Sequence, residues 1–149
     1  LFRSYKQTDR SSCVACVAAM ATGTSPETFV AYVKAIHPGE DVKPPYSDID
    51  LQKYLLQFDT IIGVGAGTVS KDNDGELFGE ASFNIKEYPA YVSVKSERDE
   101  QYEHALYWDG SQLWDPNPMS ADGRDPLSYQ IVGWWPVIEL KHKVLPPLN

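Results

Sequence analysis

The hydrophobic periodicity of this chain changes once, near Thr60, and that change restricts it to one class of fold. Before it, apolar residues recur at helical spacing; after it, short β-rich runs are separated by turn residues. Ser11 and Ser12 stand as N-cap residues before Cys13–Thr22, an Ala-rich run that stops at Gly23. Ser25-Pro26-Glu27 opens a second helix, with Ser as cap, Pro at the first helical position and an acid in the first turn. Its apolar residues are Phe29, Val30, Val33 and Ile36, and Pro38-Gly39 ends it. Ser47 caps a third helix carrying Ile49, Leu51, Tyr54, Leu55 and Phe58.

Strands are expected over 60–64, Ala90–Lys95, Glu103–Trp108, 111–115 and 131–140, the last interrupted or placed at an edge by Pro136. The polar, Gly-rich stretch 65–82 reads as a long loop, and 141–149 as a flexible tail. Helices first and antiparallel strands afterwards predict a single α+β domain over 1–149, with N-terminal helices packed on a C-terminal antiparallel sheet. A length of 149 residues suits one such domain.

Charge narrows the partners. Acidic residues outnumber basic ones 21 to 13, giving a net charge of −8, and no basic cluster is present to neutralise phosphates. Nucleic acid and anionic membrane surfaces are therefore disfavoured as partners, leaving a protein, a peptide or a neutral small molecule, of which a protein or peptide substrate is expected. No apolar run approaches the roughly 18–20 residues that span a bilayer, and nothing reads as a secretory signal. With only Cys13 and Cys16, no disulfide framework is possible, so a reducing, cytoplasmic setting is expected.

The two cysteines differ in position. Cys13 falls at the start of a helix, where free N–H groups and the dipole favour a thiolate. Cys16 falls one turn further in and is expected to pack in the core. The pair forms a C-x-x-C, but the strand of a βαβ redox site is missing. A metal would need more ligands than His37 and His142 supply, so neither metal nor cofactor is expected. The stretch 63–67 lacks dinucleotide-loop spacing, and 72–76 lacks EF-hand spacing.

Asp109-Gly110 is a two-residue hairpin signal. Pairing Trp108 with Ser111 sets Leu106 opposite Leu113 and His104 opposite Asp115. Residues directly opposite share a face, so the turn is expected to put an imidazole beside a carboxylate. The same face carries Leu106, Trp108 and Leu113, which argues for burial. Gln7, six residues before Cys13, could supply an amide N–H to a developing oxyanion.

Gln7-Thr8-Asp9-Arg10-Ser11-Ser12-Cys13 before an Ala-rich helix, His104-Ala105-Leu106-Tyr107-Trp108 on a strand and Trp114-Asp115-Pro116 downstream together resemble the C39-like, bacteriocin-processing peptidases. That resemblance implies a papain-like fold and a cysteine peptidase with Cys13 as nucleophile, His104 as base, Asp115 as orienting acid and Gln7 at the oxyanion. The chain departs from the family in reading Ser12-Cys13-Val14 where Asp-Cys-Gly is common. The best-known members are fused to exporters and cut leader peptides after paired glycines, a preference that nothing in this chain implies. The same residues would also serve an acyltransferase or transglutaminase, or survive in a degenerate papain-like binding module.

Overall fold

A computed structural model describes residues 2–63, 69–71, 77–79 and 87–140. It is an α+β arrangement of three helices, α1 (Cys13–Thr22), α2 (Pro26–Ile36) and α3 (Asp48–Leu56), followed by strands. These are β1 (Thr60–Ile62), β2 (Val69–Lys71), β3 (Leu77–Gly79), β4 (Ala90–Lys95), β5 (Glu103–Trp108), β6 (Leu113–Trp114) and β7 (Ile131–Glu139). Five of them form one antiparallel sheet in the order β1-β7-β4-β5-β6, and β2 pairs with β3 in a separate hairpin.

The helices start and stop where local chemistry dictates. The Ser25 hydroxyl accepts from the Thr28 N–H, Pro26 takes the first helical position, and the Ser47 hydroxyl accepts from the Asp50 N–H. Gly23 closes α1 in the left-handed conformation at φ 71°, where a Cβ would be strained. The cap expected from Ser11 and Ser12 is not made. Ser12 sits at φ −98°, ψ 20° and makes no side-chain cap bond, while the Ser11 N–H donates to Asp9 Oδ1.

Every residue of α1 from Cys13 to Met20 is buried, which explains its Ala-rich composition. A helix apolar on all sides must be covered on all sides, and small side chains let α2, α3 and β5 approach it closely. On one face of the sheet, Tyr91, Ala105, Tyr107 and Val137 pack with the helices. On the other, Val92, Val94, Leu106, Trp108, Leu113, Tyr129 and Trp134 form a second cluster. Alternation along β4, β5 and β7 feeds both clusters, as the two-residue strand period requires. In α3 the core takes Leu51, Tyr54 and Leu55 and leaves Ile49 exposed; Phe58, expected in this helix, lies beyond its end at Leu56 and is exposed too. Cys16 packs in the helical core.

Several strand boundaries differ from the sequence expectation. The first strand ends at Ile62, and Val64 lies outside the described residues. The expected loop over 65–82 contains the β2–β3 hairpin; its remaining residues lie outside the described set, as do 72–76 and the tail 141–149. Pro136 neither breaks β7 nor marks an edge, because β7 runs between β1 and β4. The Pro136 carbonyl accepts from the Gly63 N–H at 2.7 Å, so its ring nitrogen also faces the side where β1 has already ended. The reciprocal bond from residue 136 to Gly63 is the one the ring forgoes, and it falls just past the end of β1.

Gly133 allows a close approach on the helical face. A Cβ at this position would collide with the indole of Trp135, which stacks on Tyr91 at 5.4 Å. Gly133→Ala is expected to destabilise the fold by about 1–3 kcal/mol, read as a lower urea midpoint with unchanged slope. A wild-type midpoint would mean that the indole shifts without cost.

Candidate active site

Cys13 opens α1 and lies against β5 where that strand has an uncovered edge. Strand β6 pairs only with Tyr107 and Trp108, so Glu103–Leu106 have no strand neighbour on that side. There the His104 side chain and the backbone N–H groups of Ala105 and Val14 act on the Cys13 thiol and favour its ionised form. The uncapped first turn of α1 thus presents an amide to the thiol, and the edge of β5 presents a second. Burial pushes the Cys13 thiol up, but the His104 bond and charge and the two N–H donors outweigh it, and its pKa lies below the ordinary thiol value.

His104 and Asp115 are in contact at 2.6 Å, His104 Nε2 to Asp115 Oδ1. The route to that contact is not the expected two-residue turn. Trp108 pairs with Leu113, leaving a four-residue loop, and the expected strand over 111–115 shrinks to Leu113–Trp114. The Asp109 carboxylate explains the longer loop: Oδ1 accepts from the N–H groups of Ser111 and Gln112, and Oδ2 from Trp114 Nε1. Because the register shifts by two residues, an even number, Asp115 stays on the face of His104. Beyond Trp114 the ladder stops, and the chain turns Asp115 toward the imidazole.

Asp115 is 2 % exposed, and four donors satisfy its carboxylate and its backbone carbonyl. Oδ1 accepts from His104 and the Asn117 N–H, Oδ2 accepts from the Tyr129 hydroxyl at 2.7 Å, and the carbonyl accepts from Lys6 Nζ at 2.7 Å. Burial raises its pKa, but the His104 bond and charge, the Tyr129 hydroxyl and the Asn117 amide lower it further, so the carboxylate is ionised at neutral pH. His104 responds in the opposite sense. Burial pulls its pKa down, while its bonds to Asp115 and Cys13 and their charges raise it to about 9. An ionised carboxylate can only accept, so Nε2 carries a proton and Nδ1 is the nitrogen left for Cys13. The set favours a thiolate beside an imidazolium. Burial and the nearby Cys13 charge instead push Cys16 up to about 12.

Compared with known proteins, this chain matches no family model and no curated protein.

Gln7 reaches the site through the backbone. Its N–H donates to the Pro116 carbonyl at 2.8 Å, tying the segment before Cys13 to the Asp115-Pro116 turn. The side chain is 7 % exposed; Nε2 donates to the Asp9 carbonyl at 2.7 Å, and Oε1 is buried without a partner. Gln7, His104 and Asp115 line one small cavity. Nε2 has a second hydrogen, which is the one free for an oxyanion.

Sequence reasoning missed Tyr129, Lys6 and the Ala105 amide. Asp115-Pro116-Asn117 does carry a local signal, since an Asp side chain commonly accepts from the N–H two residues on. Tyr129 and Lys6 carry none, being joined to Asp115 only by the fold. Trp134 is fully buried against Trp108, and Trp135 is half-buried on Tyr91, so neither lines the site. His37 is held by Asp50 and Glu40, away from this chemistry. Among the described residues no group of three or more His, Cys, Asp or Glu could hold a metal, and no helix is long and apolar enough to cross a membrane.

Proposed function

We propose that this chain is a papain-like cysteine peptidase of the C39-like type that hydrolyses a peptide or isopeptide bond through a thioester. The observation that carries this reading is the buried Asp115 bonded to His104 at 2.6 Å, with the same imidazole acting on the Cys13 thiol. The Cys13 thiolate attacks the amide carbonyl, and the Cys13 N–H with the second Gln7 Nε2 hydrogen receives the oxyanion. The His104 imidazolium gives its Nδ1 proton to the leaving amine as the C–N bond breaks, leaving a thioester on Cys13. Neutral His104 then takes a proton from water, whose oxygen attacks the thioester and frees the acid and the thiolate. Asp115 holds the Nε2–H tautomer throughout. A free, reactive thiol suits a reducing compartment, and a peptide substrate suits the acidic surface.

The test is turnover of internally quenched peptide pools by wild type and by Cys13→Ala. Hydrolysis lost completely in Cys13→Ala supports the reading; equal hydrolysis by both, or none by either, overturns it. Because every step uses side chains of the chain itself, exhaustive chelation is expected to leave turnover unchanged while iodoacetamide abolishes it. Loss on chelation with recovery on adding zinc would replace the thioester route by a metal-assisted one.

A further inference from the structure

The cavity beside His104 has a chemical character that the bond-breaking chemistry does not require. It is lined by Gln7 and His104 and by the cations of Arg10, Lys95 and Arg98, in a chain whose net charge is −8. Glu97 and Asp115 also line it, but the Glu97 carboxylate accepts from Arg124 at 2.8 Å and the Asp115 carboxylate from His104 at 2.6 Å, so both are matched. Arg98 donates to the neutral Asn117 side chain at 3.3 Å. Among the described residues no carboxylate pairs with Arg10, Lys95 or Arg98. Each carboxylate of the hollow is thus matched by its own partner, and the three cations line it in excess of them, although acids outnumber bases in the chain.

A second observation concerns Gln7, which lines the same hollow. The Gln7 Oε1 atom is buried and accepts no hydrogen bond, and such an acceptor costs free energy until a donor reaches it. Its other amide atom is already committed to the Asp9 carbonyl, so Oε1 cannot exchange roles with it. A backbone N–H of an extended peptide is a donor of the required kind. The cavity also has a defined place in the reaction. His104 delivers its proton to the leaving amine, so the segment on the amine side of the broken bond lies on the His104 side. This hollow contains His104 and Gln7, and Cys13, which carries the acyl half, does not line it.

We propose that this cavity binds the leaving-group side of the substrate and selects an acidic side chain there, with Arg10, Lys95 and Arg98 facing its carboxylate and Gln7 Oε1 accepting a backbone N–H. The inference rests on the peptidase reading and deepens it by naming a substrate class. The attraction acts on the amine-side half alone, so it changes which bonds are cut without changing the reactivity of Cys13. Partly exposed ion pairs are weak singly, and three cations around one carboxylate correspond to a preference of about five- to ten-fold.

The test uses internally quenched peptide pools that differ only in the two residues following the cut: Asp and Glu, Ala, or Lys. Wild type is expected to cut the acidic pool about five- to ten-fold faster than the Lys pool, with the ratio shrinking as salt is raised. Arg98→Glu, shown to be folded by its circular dichroism and thermal midpoint, is expected to narrow or invert that order. Arg10→Glu serves as the second variant if Arg98→Glu does not fold. Equal cutting of acidic and Lys pools, or an order unchanged in the charge-reversed variant, overturns the acidic selection while leaving the peptidase reading standing. No Cys13-dependent cutting of any pool overturns both.

Discussion

Brief iodoacetamide treatment at pH about 6.5 is expected to label Cys13 and leave Cys16 unmodified, by a margin of more than about a hundredfold. The two thiols sit one helical turn apart, so the difference isolates the effect of position. At Cys13 burial disfavours the thiolate, but His104 and the N–H groups of Ala105 and Val14 together outweigh it and lower the pKa below the ordinary thiol value. Cys16 has no such donors; burial and the neighbouring Cys13 charge push it up to about 12, where almost no thiolate is present at pH 6.5. Access runs the same way, since Cys13 keeps 9 % of its surface and Cys16 only 2 %. Peptide mapping by mass spectrometry after quenching reads the result. Label on Cys16, or equal label on both, removes Cys13 as the nucleophile. In unfolded protein both should react alike, which confirms that the fold makes the distinction.

The second large effect separates orientation from charge at Asp115. Asp115→Ala removes both and is expected to lower kcat/KM by roughly 10²–10⁴-fold. It also leaves the buried Tyr129 hydroxyl without its acceptor, at a cost of about 1–3 kcal/mol in stability. Asp115→Asn keeps an oxygen for His104 and Tyr129 but not the charge, so it should retain more activity with an altered pH profile. The folded pKa of His104 is raised to about 9, so its contribution to stability is fully present below its unfolded value of about 6.5 and is lost as pH rises through about 9. Cys13 and Asp115 are depressed, so their contributions are present above their unfolded values and are lost as pH falls through the folded ones. The working window thus closes near pH 9 on the alkaline side, where His104 can no longer protonate the leaving amine. Removing the Asp115 charge lowers the His104 pKa, so the alkaline limb in Asp115→Asn is expected to move to lower pH. An alkaline limb that stays in place would show that Asp115 acts only as a strand end.

Local signals located most of the elements. Ser25 with Pro26, and Ser47, satisfy N–H groups three residues away, so a short window of sequence contains the whole interaction. The spans Cys13–Thr22, Ala90–Lys95 and Glu103–Trp108 were legible for the same reason. Asp109-Gly110 correctly marked a hairpin but not its loop length. A two-residue turn is set by backbone preference, whereas the Asp109 carboxylate captures the Ser111 and Gln112 amides and stretches the loop to four residues. The His104–Asp115 contact survived that error because a two-residue shift preserves the face, and a one-residue shift would have reversed it.

By itself, the sequence determined an α+β order, the position of Cys13 at a helix start, and a hairpin that brings His104 and Asp115 to one face. These depend on bonds closed within a few residues and on alternation along a strand. Only the tertiary structure decided which atoms complete the site. The Ala105 amide reaches Cys13 because β6 is too short to cover the edge of β5. Tyr129 reaches Asp115 across fourteen residues because both pack beneath the same sheet face, and Gln7 is anchored through the Pro116 carbonyl more than a hundred residues away. Pro136 is tolerated inside the sheet because β1 ends beside it. Each of these contacts joins surfaces that burial of apolar area brings together, and no pattern within either segment encodes its partner.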